Sequence, residues 1–535
     1  MIQLSIEIDD KLPQGWSSNL LKEVLEKLTD GSHNPPKKQT HGLPMLSARN
    51  IENGHINFHE YRYIDPNDFA IEDKRTQIKS GDVLLTIVGA IGRATIVPDN
   101  IEPFTVQRSV AVLSSLAFTP KFLMFQFRSP KIQRELLSKA KGTAQKGIYL
   151  KKLSGVEMLI PPLNEQKRIV TKIEALQTRS TAVKEELSAI KPLLNQFRQS
   201  VLAAAFRGDL TKDWRSQNPD VEPAEVLLER IRVERRRRWE EAELEKMTAK
   251  GKVPKNDKWK KKYKEPEPIN TEGLPELPNG WCWGTWEQVG FCQNGRAFPS
   301  KYYQSNGVKL LRPGNLHVSG QVQWTETNTK YLSEEWETKH PTYIIYQNEL
   351  LVNLTAQSLA DEFLGRICLT SDNEKCLLNQ RIARLSPVEI KEKFILWLFK
   401  SRLFRRYVDS LNTGSLIQHM FTSQIYEFIF PIPPFEEQKE IVRRIESLFK
   451  LADNIEQQYQ QAEIDLETLN QSILAKAFRG ELISQDPNDE PASVLLERIK
   501  EERDKAKATA KKSKTKKTKK RSSKKKDEQL GIPGM

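Results

Sequence analysis

The sequence IPPLNEQKRIV occupies residues 160–170, and IPPFEEQKEIV occupies residues 432–442. Eight of the eleven letters agree, and the two phrases are 272 positions apart. In each phrase a Pro-Pro pair disfavours helix before it, and acidic and amide residues follow where the first turn of a helix favours them. These residues are Glu165, Gln166, Glu437 and Gln438. The phrase therefore predicts, twice, the end of one domain and the start of a helix.

Other segments repeat in the same order. They are LPQGW (12–16) with LPNGW (277–281), the Gln107-Arg108 pair with Gln380-Arg381, FLMFQFRSP from Phe122 with FILWLFKSR from Phe394, QSVLAAAFRGDL (199–210) with QSILAKAFRGEL (471–482), and EPAEVLLERIRVER (222–235) with EPASVLLERIKEER (490–503). The offset drifts only between 265 and 273. A period this long indicates two copies of a whole module, not a solenoid.

The two copies differ most in their first halves. Residues 42–113 and 307–385 share an outline but few letters, which is explained either by neutral drift or by recognition of two different things. Short β-branched segments such as VLLTIV and SVAVL predict strands, and residues 120–140 have a helical pattern. Each variable half is therefore predicted to be a mixed α+β domain.

The second halves of the two copies share most of their letters. In the first copy, apolar residues follow one another at alternating spacings of four and three positions, with Ser180 in the one gap. The same pattern recurs 272 positions later. The predicted helix interface comprises Ile169, Ile173, Leu176, Val183, Leu187, Ile190, Leu194, Phe197, Val201, Ile441, Ile445, Leu448, Ile455, Tyr459, Leu466, Leu469 and Ile473. Two such helices packed on each other, or an ordinary helical bundle, would bury this seam. Pro192 predicts a break in the first helix, and Gly208 and Gly480 predict the helix ends.

Length and composition restrict the class of protein. The 535 residues allow three or four domains, and no segment has the length of a membrane span or the pattern of a signal peptide, so a soluble intracellular protein is expected. The four cysteines, Cys282, Cys292, Cys368 and Cys376, lack the spacing of metal ligands. Reduced structural thiols are therefore expected, with a metal site as the alternative.

The net charge of +14 is concentrated in two segments. Residues 505–526 hold 13 Lys/Arg and no acid, residues 230–264 have a net charge of +9, and the remainder of the chain is at −8. Global charge is therefore no argument for DNA binding by the folded domains. The tail is predicted to be disordered, and either non-specific phosphate binding or solubility explains it.

Two polar loops precede the repeated phrases, KGTAQKGI at 141–148 and NTGSLIQHM at 412–420. Their side chains are of types that reach phosphates or base edges, although solvated loops have the same composition. The candidate DNA-binding residues are Lys141, Thr143, Gln145, Lys146, Ser415, Gln418 and His419.

Two diverged halves, each followed by PP-x-x-EQ-x-x-IV, a heptad helix and AFRG[DE]L, resemble the specificity subunit of a type I restriction-modification enzyme. The resemblance covers the chain except its basic tail. It implies an α+β fold with two tandem target-recognition domains separated by two long helices in an antiparallel coiled coil. The implied boundaries are 1–160 and 275–432 for the recognition domains, 161–235 and 433–504 for the helical spacers, 236–274 for a charged linker and 505–535 for a disordered basic tail.

The same resemblance implies partners and cofactors. Each recognition domain would read one half of an interrupted double-stranded DNA target. Two modification subunits would use S-adenosylmethionine to methylate adenine, and two restriction subunits would use ATP and Mg²⁺. Such a subunit is cytoplasmic, prokaryotic and not associated with a membrane. The chain itself would bind no cofactor.

Three segments come near known catalytic motifs, but none of them completes its motif. NPPK at 34–37 lacks the aromatic residue of a methyltransferase loop, GTAQKGIY at 142–149 lacks the lysine of a phosphate-binding loop, and IEDK at 71–74 is a common charge run. We therefore predict no catalytic residue and no metal site. A stand-alone DNA-binding regulator and a coiled-coil scaffold are the alternative functions.

Overall fold

The computed structural model describes residues 12–142, 146–252, 254–357, 362–371, 374–411 and 418–505. The predicted disordered tail lies, from residue 506 onward, outside the described residues. The chain divides into two units. The first unit contains the described residues up to Ser188 together with those from Gln460 onward, and the second contains residues 189–459. A helix of the second copy therefore begins in one unit and ends in the other.

The first copy contributes nine strands and six α-helices to the described part of the first unit. They are β1 (Ser17–Leu20), α1 (Leu21–Val24), β2 (Leu25–Asp30), β3 (Leu43–Leu46), β4 (Arg62–Ile64), α2 (Pro66–Thr76), β5 (Val83–Thr86), β6 (Ala94–Ile96), β7 (Thr105–Val106), β8 (Val110–Ser115), α3 (Pro120–Arg128), α4 (Pro130–Lys139), α5 (Leu150–Leu153), β9 (Glu157–Ile160) and α6 (Leu163–Ser188). The strands and helices expected in the first variable half are thus confirmed. The helical pattern of residues 120–140 is interrupted at Ser129, which is extended because Pro130 follows it.

A four-stranded antiparallel sheet, ordered β2-β8-β5-β6, is buried on both faces. On strand β8, Ala111 and Leu113 pack toward helices α3 and α4, whereas Val110 and Val112 pack toward the second sheet, ordered β4-β3-β7. This double burial explains why the strand is continuously apolar instead of alternating. The first variable domain therefore has three layers. The helices cover one face of the four-stranded sheet, and the second sheet covers its other face.

The remaining named elements belong to the second unit, except that the last helix continues from it into the first. They are α7 (Ile190–Arg207), α8 (Lys212–Gln217), α9 (Ala224–Ala249), β10 (Cys282–Thr285), α10 (Trp286–Val289), β11 (Gly290–Asn294), β12 (Val308–Leu311), β13 (Tyr331–Leu332), α11 (Glu335–Lys339), β14 (Ile344–Ile345), β15 (Leu350–Asn353), β16 (Thr355–Ala356), β17 (Ile367–Leu369), β18 (Cys376–Leu378), β19 (Ile382–Pro387), α12 (Glu392–Lys400), α13 (Arg402–Leu411), β20 (Gln418–His419), α14 (Thr422–Glu427), β21 (Ile429–Ile432) and α15 (Phe435–Ala477). Residues 492–505 are also helical and belong to the first unit.

The sheets of the second unit repeat those of the first. The order β11-β19-β15-β17 corresponds to β2-β8-β5-β6, and β13-β12-β18-β14 corresponds to β4-β3-β7 with one added strand. Strands β12 and β18 are parallel, as are β3 and β7. The duplication predicted from the letters is therefore a duplication of topology, including the halves in which few letters agree.

The helices after the two phrases differ in continuity. Helix α15 is unbroken over 43 residues, about 65 Å at 1.5 Å per residue. Its counterpart is divided at Ala189 into α6 and α7. Pro192 has no N–H to donate to the carbonyl of Ser188, which is four residues earlier, so the expected break is confirmed at this place. Gly208 closes α7 with φ +81°, as its position in AFRG predicted.

The repeated phrase begins a helix, as predicted, and its acidic and amide residues are also buried in a junction. In the first unit Glu165 is 1% exposed and accepts a hydrogen bond from Trp16 Nε1 at 3.0 Å. Burial raises the pKa of Glu165. Gln166, fully buried, accepts from the Thr119 N–H at 2.9 Å and donates to the carbonyl of Ala117 at 2.9 Å. The phrase thus joins the first strand, the entry to α3 and the start of α6.

The second copy has the same junction with a different set of donors. Glu437 is fully buried and accepts from Trp281 Nε1 at 2.8 Å, from Thr211 Oγ1 at 2.7 Å and from Arg215 Nη2 at 2.8 Å. Gln438 accepts from the Lys391 N–H at 3.1 Å. LPQGW and LPNGW are repeated because their tryptophans bond the glutamates of the repeated phrases.

The end of each copy packs on the variable domain of the other copy. In the second unit Ala224, Leu227 and Ile231 of α9 are buried in one core with Trp281 and Val289. In the first unit Ala492 and Ile499 are buried in one core with Leu21 and Val24. The backbone bonds also match, since Ala224 N–H donates to Gly280 O and Ala492 N–H donates to Gly15 O, both at 2.9 Å.

The prediction of a charged linker at 236–274 is wrong for its first part. Helix α9 continues through the predicted boundary to Ala249. Arginine-glutamate pairs three and four positions apart stabilise this extension, including Arg236 with Glu240 at 3.2 Å and Arg237 with Glu241 at 2.5 Å. The charge run that suggested a linker is therefore the surface of a helix.

Candidate nucleic-acid interface

In each variable domain, one end of the sheets brings together backbone from distant parts of the sequence. In the first domain β3, β5 and β7 end there and β8 begins there. Ser109 connects them, because its carbonyl accepts from the Ile87 N–H at 2.9 Å and its Oγ accepts from the Ala48 N–H at 3.0 Å. Ile148, at the end of the polar loop, donates to Ile87 O at 2.8 Å. We call this region the sheet end.

A cavity of about 330 Å³ lies at the sheet end of the first domain. Its lining comprises Lys38, Ser47, Arg49, Glu60, Tyr61, Arg62 and Gln107. Three cations face one carboxylate, and Gln107 adds an amide. Arg62 Nη1 donates to Pro36 O at 2.5 Å, and Tyr61 Oη donates to Tyr63 Oη at 3.0 Å, so several of these side chains are held in place. Guanidinium, ammonium and amide groups are those that bind phosphates and base edges.

The second domain has different side chains on the same backbone positions. The Gln39 N–H donates to Tyr63 O and the Gln304 N–H to Tyr331 O, both at 2.9 Å, which makes the two segments equivalent. This alignment pairs four cavity residues with residues of the second domain. The pairs are Lys38 with Tyr303, Ser47 with Arg312, Arg62 with Lys330, and Gln107 with Asn379. The guanidinium of Arg312 lies 5.8 Å from the ring centroid of Tyr303. One scaffold therefore presents two different chemical surfaces.

The Gln-Arg repeat noticed in the sequence is out of register in the structure. The Gln107 N–H donates to Leu46 O at 2.8 Å, and its counterpart is the Asn379 N–H, which donates to Leu311 O at 3.2 Å. Arg108 and Gln380 are likewise equivalent, through bonds of 2.9 Å to Ser32 O and Arg296 O. The identical letters are thus displaced by one residue. The equivalence of Gln107 with Gln380 and of Arg108 with Arg381 is wrong.

The described residues of the polar loops are at the sheet end in both domains. Lys141 exchanges two backbone hydrogen bonds of 2.9 Å with Gly147, and Lys146 O accepts from the Gly89 N–H at 3.0 Å. Lys141 and Lys146 are exposed. In the second domain Gln418 and His419 form β20, which pairs with β16, and His419 is exposed. Thr143, Gln145 and Ser415 lie outside the described residues. DNA contact by any of the seven stays a prediction.

The predicted helix interface is most buried near the variable domains. The buried members are Ile169, Ile173, Leu194, Val201, Ile441, Ile445 and Ile473. The half-buried members are Leu176, Leu187, Ile190, Leu448, Tyr459 and Leu466. The exposed members are Val183, Phe197, Ile455 and Leu469. All of these buried residues except Leu194 share cores with the variable domains, which do not cover the exposed members.

Polar contacts join the long helices in each unit. In the first, Asn470 Nδ2 donates to Ser180 Oγ at 3.0 Å, in the gap of the heptad pattern. In the second, Arg198 Nη2 contacts Asp453 Oδ1 at 2.7 Å and Glu456 Oε2 at 2.8 Å. Arg198 is the sequence equivalent of Asn470. In both units, higher residue numbers in the first copy contact lower residue numbers in the second copy. The helix segments therefore run antiparallel.

Helices α3 and α12 end with equivalent half-buried cations. The Arg128 guanidinium lies 5.4 Å from the ring centroid of Phe125, and the Lys400 ammonium lies 5.3 Å from that of Trp397. Burial lowers the pKa of Arg128 and lowers the pKa of Lys400 to about 8. Lys400 donates to the carbonyls of Val318 and Ser319 at 3.1 and 2.6 Å, beside a cavity of about 850 Å³.

In the described ranges, no group of three or more histidine, cysteine or carboxylate residues is arranged to hold a metal ion. No helix in this part of the chain has the length and apolarity to cross a membrane. All four cysteines are free thiols, and burial raises the pKa of each.

Comparison with known proteins decides the family. A sequence model described as the type I restriction modification DNA specificity domain matches residues 13–191 and 283–464, one match in each copy. The chain belongs to this family. Both matches include a variable domain and much of the helix that follows it.

Curated relatives in this specificity family agree. The chain is 31% identical over 246 residues to the EcoBI specificity subunit of Escherichia coli, an alignment that covers 44% of this chain and 52% of that subunit. It is 29% identical to the EcoDI specificity subunit of the same organism, over 66% of this chain and 71% of that subunit. With the StySPI specificity subunit of Salmonella potsdam it is 25% identical over 516 residues, which are 92% and 96% of the two chains.

Solved structures share the fold. A chain from a structure of the type I R-M system, described for its complex assembly and conformational transition, superposes with a TM-score of 0.57 at 18% identity and covers 88% of this chain and all of that one. The HsdS subunit from Thermoanaerobacter tengcongensis superposes with a TM-score of 0.50 at 19% identity, over 88% and 98%. The two-domain fold with long helices is thus that of this specificity family.

The sequence did not identify the cavity at the first sheet end. Lys38, Arg62 and Gln107 come from three separated segments, and only the pairing of β3 with β4 and β7 places them together. The local signal was a basic and aromatic mixture, with KK at 37–38 and YRY at 61–63.

Proposed function

We propose that this chain is the DNA-reading subunit of a type I restriction-modification system, in which each variable domain binds one half of an interrupted target. The observation that carries the proposal is the pair of sheet ends. The same backbone positions hold Lys38, Ser47 and Gln107 in one domain and Tyr303, Arg312 and Asn379 in the other. Two readers on one scaffold suit a target whose halves differ in sequence.

In this proposal the long helices have two roles. They set the spacing of the half-sites, and they dock two modification subunits, which methylate adenine with S-adenosylmethionine. Two restriction subunits, which use ATP and Mg²⁺, complete the assembly in the cytoplasm. The exposed apolar residues Val183, Phe197, Ile455 and Leu469 are compatible with the docking role, because they recur in the heptad frame of the long helices and are not covered by the variable domains.

The test is an exchange of one variable domain. Replacing residues 12–155 by the matching region of a relative keeps the junction at 160–170, so the hybrid should fold and assemble with the modification subunits. Mapping of methylated adenines should show a change in one half of the target and none in the other. A change in both halves, or in neither, contradicts two independent readers.

A second measurement separates this function from that of a stand-alone regulator. The purified chain is mixed with the modification subunit from the same cell, and the mass of the product is measured. A complex containing both chains is expected. A chain that stays alone and still binds its target would support the regulator instead.

A further inference from the structure

Charge is distributed unevenly between α9 and the segment that follows it. Helix α9 has seven basic and seven acidic residues and is therefore neutral. The next fifteen residues, 250–264, contain eight lysines and one acid, Asp257. We call this segment the lysine arm. The positive charge of the insert is thus concentrated on the arm, which is described except for residue 253.

The lysine arm folds back on α9 through aromatic contacts. Trp259 stacks on Trp239 of the helix with ring centroids 6.1 Å apart and an interplanar angle of 25°. Tyr263 packs on the same Trp239 at 5.3 Å, and the Arg236 guanidinium lies 5.9 Å from the Tyr263 ring. Such contacts order a segment that a solvated charge run would leave free.

Ion pairs also attach the lysine arm and the residue after it to helix α9. Lys260 Nζ lies 3.3 Å from Glu240 Oε2, and Glu265, just beyond the arm, lies 3.6 Å from Arg232 and 3.8 Å from Arg236. Only Lys260 among the eight lysines has an ion pair in the described structure. The other seven, Lys250, Lys252, Lys255, Lys258, Lys261, Lys262 and Lys264, are exposed.

We infer that the lysine arm is a second DNA-contacting surface, which binds backbone phosphates of duplex outside the half-site read by the second variable domain. Exposed ammonium groups on an ordered support bind phosphates without reading sequence. The inference rests on the proposed function, since it needs DNA at the second domain. Helix α9 packs in the core of that domain through Leu227 and Ile231, so the arm has a fixed attachment there.

The test compares the salt dependence of binding in the full chain and in K261Q/K262Q/K264Q. Each phosphate contact contributes about 0.9 to the slope of log K against log salt, so the slope should fall by up to about 2.7 on a long duplex. On a duplex trimmed to the two half-sites the variant and the unchanged chain should bind alike. K172Q/K184Q/K191Q removes equal charge from exposed positions of α6 and α7 and serves as the control.

A second variant tests the support instead of the charge. W259A keeps every lysine but removes the stack on Trp239, so it should also lower the slope on the long duplex. An unchanged slope of log K against log salt in K261Q/K262Q/K264Q overturns the inference. The inference is also overturned if this variant binds DNA as before but no longer binds a partner subunit. Failure of the unchanged chain to prefer any target sequence would instead count against the proposed function.

Discussion

Single buried residues determine how the variable domains are attached. Glu437 has no exposed surface, and three donors from Thr211, Arg215 and Trp281 converge on its carboxylate. A buried charge is tolerated only when it is paired and hydrogen-bonded, and here both conditions are met. The repeated glutamate is therefore a structural residue.

Removing this carboxylate should destabilise the second unit. E437A leaves the Arg215 guanidinium and the Trp281 N–H without their acceptor, and losing one partner of a buried pair costs about 3–5 kcal/mol. Urea denaturation should detect this as a lower midpoint. E436A, at the exposed neighbouring position, should change the free energy of unfolding by less than about 0.5 kcal/mol. Equal effects of the two variants would contradict a special role for Glu437.

Lys400 should make stability depend on pH in the alkaline range. Burial lowers its pKa from 10.5 to about 8, so between these values the unfolded chain binds more protons than the folded one. Stability therefore rises with pH in this window, by up to about 3 kcal/mol at 1.36 kcal/mol per unit. The measured quantity is the difference in unfolding free energy between the unchanged chain and K400Q at pH 7.5 and pH 10. A difference independent of pH would refute the assignment.

At the scale of elements, the two long helices of one duplication have diverged at one position. Pro192 divides the first into α6 and α7, whereas Ile464 stands at the equivalent position of the unbroken α15. The break leaves the carbonyl of Ser188 without the N–H four residues later. Continuity in α15 is consistent with its passage through both units.

Exchanging these two residues should move the break. P192A restores the missing donor and should raise the helical signal in circular dichroism, with equal or greater stability. I464P should cost about 3 kcal/mol or more, because it removes a bond and introduces a clash inside a regular helix. Urea unfolding of both variants measures the stability. Destabilisation by P192A would indicate that the break itself is needed for packing.

Helix and strand positions were predictable where local chemistry determines them. Pro-Pro pairs, Gly208 and continuous β-branched runs mark boundaries that the structure confirms. The continuation of α9 past residue 235 was missed because a run of like and unlike charges is common to linkers and exposed helices. The register of the Gln-Arg repeat was misjudged because matching letters do not specify hydrogen bonds when the offset drifts by one residue.

At the scale of the whole molecule, the letters kept between the copies lie mainly in the helices and the junctions. Both sheets of each variable domain take strands from the segments that share few letters, for example β3 and β5 in the first domain and β12 and β15 in the second. The cavity residues could not be predicted from spacing, since they meet only when the sheet β4-β3-β7 forms. The sequence therefore predicted the two variable domains but not the side chains that line their sheet ends.

Gln107 and Asn379 should act on different halves of the target. Loss of one base contact costs about 1–3 kcal/mol, or roughly 5- to 150-fold in affinity. Q107A should weaken binding and relax selectivity at one half-site, and N379A should do so at the other. Binding to duplexes altered in one half at a time measures both effects. Variants that act on the same half would contradict separate readers.

The buried junctions have a consequence for inheritance. Because Glu165 and Gln166 bond to the short repeated segments and to backbone, a foreign variable domain that carries the same segments meets the same partners. Recombination between genes at the DNA encoding IPPLNEQKRIV is therefore expected to exchange one variable domain while keeping these bonds, and under the proposed function it would exchange one half of the target. The phrase that ends each domain would then also be the place where new target sequences enter the lineage.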